Sequence, residues 1–390
     1  MFTHLLKLMW NKRRANGLLF LEILLAFVVL FGVFAFGIYN YEHFRSPMGY
    51  ASENLLVVDT NYKPAADSLQ TISFQERARR DLLTIPGIEA VSFTGFIQPF
   101  MNGNWSWGSD DNGFELHTQL FFADEQFAET MDLEFRDGRW FEESDADAAL
   151  PTIVVNGIFV DRYFPDAPTM VDSVIIHGEP RKIIGVVENF KYQGDFAEPY
   201  PIMFTTQDAG LTDIFPNLVV RVAPGRIAEV EEPLYRYLSD ADVTQAVSVS
   251  RAEQLRKSIN RPTVIPLAIL AIISGFLLIN TALGLFGVLF TQVGRRRAEI
   301  GLRKALGATP GSITAQFVLE MLLITLAALA LGAVFAVQVP LLDLLPLPDR
   351  LFYLAIAAAA AVILCIVVVC AFLPSRQAAG LHPALVLHEE

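Results

Sequence analysis

Residues 294–310 read GRRRAEIGLRKALGATP, and this stretch decides how the rest of the chain is laid out. Five Arg or Lys fall within ten residues, Arg295 to Lys304, in a chain of 390 residues with a formal net charge of −13. Apolar runs flank it, Val264–Thr291 before and Ile313–Val339 after. Two more stand at Leu18–Tyr39 and Leu351–Leu373. A helix rises about 1.5 Å per residue and a bilayer core about 30 Å thick needs about 20 residues, so each run is long enough to cross. The chain is 53% hydrophobic and 18% charged, which is apolar for a soluble protein, and the apolar residues are concentrated in these runs.

Charge orients the runs. Lys7, Lys12, Arg13 and Arg14 precede the first, the basic stretch separates the second from the third, and Arg376 follows the fourth. Lys and Arg accumulate on the cytoplasmic side, so both termini and the basic stretch are expected there. The block between the first two runs, 41–260, is then extracytoplasmic. It holds 35 Asp and Glu against 17 Lys and Arg. Long exported domains need not follow the charge rule, so the short segments carry the orientation. The first run exceeds a signal-peptide core and no A-x-A-like cleavage site follows, so it reads as a retained anchor. Before it, Phe2, Leu5, Leu6, Met9 and Trp10 share one helical face, which fits equally a segment lying on the inner membrane surface and an extension of the span. The expected layout is a cytoplasmic amphipathic N-terminus (1–17), spans at 18–39, 262–291, 313–339 and 351–373, an external domain (40–261), a cytoplasmic loop (292–312), a short external loop (340–350) and a cytoplasmic tail (374–390).

The external block reads as mixed α and β. NLLVVDT (54–60), a helix at 73–85 and IEAVSFTGF (88–96) form one strand–helix–strand unit. PNLVVRVAP (216–224), a helix at 226–238 and TQAVSVS (244–250) form another. The two are expected to pair into one subdomain (50–97 and 215–252), with a β-rich subdomain inserted at 98–214. A hairpin turning at Gly178 is its clearest feature, and NGNWSWGSDDNG (102–113) reads as a loop with Trp105 and Trp107 as exposed contacts or as a cover for the core. The fold class is therefore a membrane α-helical protein with four spans and an α+β external domain.

Within the basic stretch, Ala298, Leu302, Ala305 and Leu306 follow the spacing of an amphipathic helix, and Arg296, Arg297, Glu299, Arg303 and Lys304 lie largely off that stripe. Gly307 is placed to close this helix and Thr309-Pro310 to open the third span. A topology anchor needs the charges but not a capped, sided helix. In the second span Asn280, Gly284, Gly287 and Thr291 recur on one face, a candidate interface with a second copy or, alternatively, packing within one protomer. Glu320 lies about 16 Å of helix rise beyond Thr309, where an acid is costly unless paired, and it is expected to bond a neighbouring span. Glu22, one turn into the first span, carries no special expectation.

RRRAEIGLRKALGATPGSITAQFVLEMLL resembles the cytoplasmic signature of the MacB/FtsX-type ABC transporter permeases, and LPSRQAAGLHPALVLHEE resembles that family's tail. LEFRDGRWFEESD, VVNGIFVDRYFP and IIGVVENFKY are similar to parts of its extracytoplasmic domain. The resemblance implies a permease dimer, as a homodimer or with a close paralogue, and a separate ABC ATPase subunit docked beneath each half. ATP and Mg would be bound by that ATPase and not by this chain. Arg296, Glu299, Ile300, Gly301, Arg303, Lys304, Gly307 and Ala308 would form the ATPase-coupling helix, with one face on the span ends and the other on the ATPase. It further implies a bacterial inner-membrane location and a periplasmic adaptor, a lipoprotein or a wall hydrolase as external partner. Export, lipoprotein release and mechanotransmission to a wall hydrolase all fit, and a membrane sensor without an ATPase remains as a different class.

No catalytic role is expected of this chain. G-x-x-x-x-G-K-[ST] is absent, and about 17 residues before the first span leave no room for a fused ATPase. The six His lack paired zinc spacing, and SDDNGFE and EESDADA lack a full calcium-loop pattern. Cys365 and Cys370, five apart in the fourth run, fall on different faces and predict neither a disulfide nor a metal pair. No nucleic-acid partner is expected.

Overall fold

The computed structural model describes residues 13–60, 68–166, 171–176, 178–206, 217–241, 246–341 and 348–379. Residues 1–12 of the expected amphipathic N-terminus (1–17), the tail beyond 379 and most of the 340–350 loop lie outside the described residues. In chain order the elements are α1 (Arg13–Arg45), β1 (Leu55–Asp59), α2 (Ser68–Leu83), β2 (Ile88–Thr94), β3 (Ser106–Ser109), β4 (Leu116–Phe122), α3 (Phe127–Met131), β5 (Phe135–Gly138), a 3-10 turn (Glu143–Asp147), β6 (Thr152–Asn156), α4 (Gly157–Tyr163), β7 (Ser173–Ile176), β8 (Glu179–Val187), β9 (Ile202–Thr205), β10 (Asn217–Val222), α5 (Ile227–Ser239), β11 (Ser248–Arg251), α6 (Ala252–Arg295), α7 (Arg297–Ala305), α8 (Pro310–Leu341) and α9 (Asp349–Ala379). They divide between two compact units, 42–262 and the remainder.

Among the described residues, four helices are long and apolar enough to cross a membrane. Lipid satisfies no backbone polar group, so a spanning segment must close its hydrogen bonds internally, as a helix does. Leu19, Ile23 and Phe27 of α1, Leu285 and Leu289 of α6, Met321, Ile324 and Ala328 of α8, and Phe352 and Ala355 of α9 form the buried core. Along α9, Ala355, Ala359, Ile363, Val367 and Ala371 repeat every fourth residue and are all buried, the spacing that keeps one helical face against its neighbours. At Gly332 the ring of Phe27 occupies the place a Cβ would take, so α1 and α8 approach through the missing side chain.

Unit 42–262 holds two sheets. The smaller has the order β11-β1-β10-β2, all antiparallel. Neither strand–helix–strand unit closes on itself: β10 of the second lies between β1 and β2 of the first, so each unit is split by the other. The continuous apolar run of β1 is explained by burial on both faces. Leu56 and Val58 join Ala78 and Leu82 of α2 and Val230, Leu234 and Leu238 of α5. Leu55 and Val57 face a cluster containing Phe121, Phe127, Trp140, Phe190 and Phe204. The larger, mixed sheet runs β3-β4-β9-β6-β8-β5 with β7 on β8. The segment read as a loop at 102–113 contains a strand, β3, paired with β4, and Trp107 is covered by the Arg181 guanidinium 5.2 Å from its ring.

The sheets meet at Asp124. A bridge joins Thr94 to Ala123, and the Asp124 carboxylate accepts from Arg79 at 2.5 Å, Ser92 Oγ at 2.6 Å and Phe93 N at 2.8 Å. Burial pushes this carboxyl up to about 6, outweighing the Arg79 charge and the two hydrogen bonds that favour its ionised form.

Candidate functional site

The basic stretch folds as α7, and its ends are closed by local hydrogen bonds. Gly307 adopts φ +93°, a conformation open to glycine at little cost. Its N–H donates to Lys304 O at 3.0 Å, and Ala308 N–H donates to Arg303 O at 3.0 Å, the paired bonds of a Schellman cap. Ser312 N–H donates to Thr309 Oγ1 at 3.3 Å, so Thr309 caps α8 with Pro310 in the first helical position, where no N–H is needed.

α7 is sided, and the face it buries is not the apolar stripe. Ile300 is 4% exposed and Gly301 is buried, whereas Leu302 is 56% and Leu306 81% exposed. Ile300 packs with Val293, Ile313, Phe317 and Ala308. The apolar stripe read from the sequence therefore faces outward, and Gly301 is covered by this chain itself. The side chains of Arg297, Ala298 and Glu299, the last a candidate coupling residue, lie outside the described part of the structure.

The inward face carries charge. Arg296 NH1 lies 3.1 Å from both carboxylate oxygens of Glu320, with side chains only 10% and 7% exposed. The Arg296 guanidinium also stands 5.7 Å from the Phe317 ring centroid. Gln316 Nε2 donates to Glu320 Oε1 at 3.2 Å, and Arg303 NH1 donates to Gln316 Oε1 at 2.5 Å. A chain of four polar groups thus runs Arg296–Glu320–Gln316–Arg303 and ties both ends of α7 to α8. Glu320 does bond outside its own span, and its partner is the residue just before α7. Gln316 had no signal in the sequence. Four residues before Glu320, it lies on the same helical face, and that spacing is the only clue it offered.

The small-residue stripe of α6 does not act as one surface. At Gly284 a Cβ would fall 2.8 Å from Glu22 Oε2, so this glycine makes room for α1 of the same chain. Nothing lies within 4 Å of a Cβ at Gly287, and Asn280 and Thr291 are exposed and bond to carbonyls of their own helix. Beside the stripe, Ile265, Ile269, Ile272, Phe276, Ile279, Leu283, Phe286 and Phe290 are all exposed. Their spacing alternates four and three. Among the described residues no group of three or more His, Cys, Asp or Glu is arranged to hold a metal ion, and Cys365 and Cys370 are free thiols.

Residues 21–236 match the MacB-like periplasmic core domain, and residues 271–383 match the FtsX-like permease C-terminal domain. The chain is 24% identical over 299 residues to the ABC transporter permease YvrN of Bacillus subtilis, covering 70% of this chain and 71% of that protein. It is 26% identical over 267 residues to YknZ of the same organism, covering 66% of each. Against the macrolide export ATP-binding/permease protein MacB of Neisseria gonorrhoeae the identity is 23% over 286 residues, 71% of this chain but only 44% of that one. Among solved structures, the extracellular domain of YknZ aligns with 50% of this chain and 100% of that domain at 18% identity and a TM-score of 0.37. The periplasmic region of MacB from Actinobacillus actinomycetemcomitans aligns with 56% of this chain and 98% of that region at 14% identity and a TM-score of 0.39.

Proposed function

Because this chain belongs to the MacB/FtsX-type family of ABC transporter permeases, we propose that it is the permease subunit of an ABC transporter and takes its energy from ATP hydrolysed by a partner ATPase. The observation that carries this reading is α7: a short capped helix whose buried face is pinned to α8 and whose outer ridge, Leu302, Ala305 and Leu306, is left uncovered. A helix fixed on one side and apolar on the other is suited to pack into a groove of a partner and to pass that partner's displacement into α8. Unit 42–262 lies outside the bacterial inner membrane in this reading and both termini inside, as the basic stretch favours. A second copy, or a close paralogue, meets the exposed seam of α6. Large apolar residues at alternating spacings of four and three are the pattern that lets one helix lie along another. Export and mechanotransmission both use such a machine, and the external partner distinguishes them.

Affinity purification in mild detergent tests the coupling role. The parent chain is expected to retain an ABC ATPase, and Leu302→Glu or Leu306→Glu to lose it by tenfold or more while inserting normally. Recovery of no ATPase with the parent chain, or equal recovery with both variants, contradicts the proposal.

A further inference from the structure

The segment 189–196, NFKYQGDF, lies in unit 42–262 and does not belong to either sheet. It nonetheless makes a set of polar contacts directed at two helix ends. Lys191 is 3% exposed. Its ammonium donates to His43 O at 2.6 Å, Ser46 O at 3.5 Å and Asp195 O at 2.5 Å. His43 O belongs to the last turn of α1, where it also accepts from Ser46 N–H at 3.2 Å and Ser46 Oγ at 2.8 Å, and a cation placed there opposes the negative end of the helix dipole. Just past the end of α1 the hold continues: Lys191 N–H donates to Met48 O at 3.0 Å, and the Asn189 side-chain Nδ2 donates to Pro47 O at 2.7 Å.

Four residues on, the same turn takes hold of the start of α6. Arg256 meets the Asp195 carboxylate with two nitrogens, Nε at 2.9 Å and NH2 at 2.6 Å, the bidentate geometry of a strong charge-assisted pair. Asn260 Nδ2 donates to Asp195 Oδ2 at 2.5 Å, and Asp195 N–H donates back to Asn260 Oδ1 at 3.1 Å. Gly194 adopts φ +97°, and a Cβ there would lie 2.7 Å from Asn260 Oδ1 and from Ile259 Cγ2, so the turn sits hard against α6. Burial raises the Asp195 carboxyl, yet the Arg256 bond and charge together with Asn260 hold it below its ordinary value. Phe190 and Tyr192 root the turn among Phe121, Phe127 and Phe204.

We propose that residues 189–196 are a yoke: Lys191 holds the end of α1, Asp195 holds the start of α6, and the aromatic root fixes both helix ends to the larger sheet. These are positioning residues. Through them the two helix ends and the sheet move as one body. The role in transmission rests on the permease reading, whereas the clamp itself does not.

Two measurements on the full-length chain in lipid nanodiscs, with Cys365 and Cys370 replaced by Ala, test this. Spin labels at Arg45 and Ser258, diluted with unlabelled chain, report the distance between the two helix ends. The parent is expected to give one narrow distribution, which Lys191→Met and Asp195→Asn each widen at least twofold. Asn260→Ala, a smaller change, is expected to widen it less. Glu232→Gln, in an exposed pair with Arg236, is expected to leave it unchanged. Unaltered width in all three yoke variants overturns the proposal, whether or not an ATPase is ever found. With a bound ATPase, Lys191→Met is expected to keep hydrolysis within twofold of the parent but lose the ATP-dependent change in thiol reactivity of a cysteine at Asp110. Hydrolysis and reactivity change falling together would instead mark a folding role and overturn the positioning one.

Discussion

At Asp124 a single carboxylate holds the junction of two sheets, and its environment makes that junction sensitive to pH. An unfolded Asp titrates near 3.9, while burial pushes Asp124 up to about 6. Between those values the folded domain keeps a proton that the unfolded chain has released. Stability therefore falls as pH rises through that window, by at most about 1.4 kcal/mol per pH unit from this group. Asp124→Asn is expected to flatten that slope, which denaturant unfolding of the full chain at pH 4.5, 5.5 and 6.5, followed by tryptophan fluorescence, will register. Arg296 and Glu320 make a second residue-scale case. Removing one partner of a buried pair leaves an uncompensated charge and costs roughly 3–5 kcal/mol, whereas replacing both by apolar residues of similar size costs far less. Glu320→Met is accordingly expected to loosen α7, seen as faster protease cleavage after Arg297, and Arg296→Met added to it to restore resistance. A double variant cleaved as fast as the single one would show that the pair holds nothing.

At the scale of elements, α6 offers two adjacent faces, and its glycines separate their roles. Gly284 stands against Glu22 and Gly287 against open space. A leucine at 284 must displace α1 within the protomer, and is expected to lower the thermal stability of the detergent-solubilised monomer. A Cβ at 287 has nothing within 4 Å among the described residues, so the main effect of a leucine there is expected on whatever covers α6 from outside. Loss of crosslinked dimer by Gly287→Leu with the monomer melting temperature unchanged is the expected result, and undiminished dimer would place the second copy elsewhere.

For the molecule as a whole, the decisive question is the side of the membrane on which each unit lies. Asp110 is exposed next to the buried Ser109, and Ser312 is exposed at the start of α8. With the native cysteines removed, a cysteine at Asp110 is expected to react with a membrane-impermeant thiol reagent in cells with a permeable outer envelope. One at Ser312 is expected to react only after lysis. The reverse pattern would invert the orientation of every span.

The features legible in the amino-acid order were those set within a turn or two of chain. Four apolar runs became four long helices, Gly307 closed α7, Thr309 and Pro310 opened α8, and the apolar run at 54–60 became a strand. Length, caps and φ preferences act between near neighbours, so local order was enough for them. Three other features were decided only when distant segments met: which face of α7 is buried, with Ile300 and Gly301 inside and Leu302 and Leu306 outside, the pairing of Arg296 with Glu320, and the seating of Gly284 on Glu22. Beside lipid, an apolar side chain gains little by turning from hydrocarbon to protein, so apolar periodicity marks a face without saying what covers it. In α7 and α6 that choice fell to long-range packing, to the need of a buried carboxylate for a cation, and to the room that a glycine leaves.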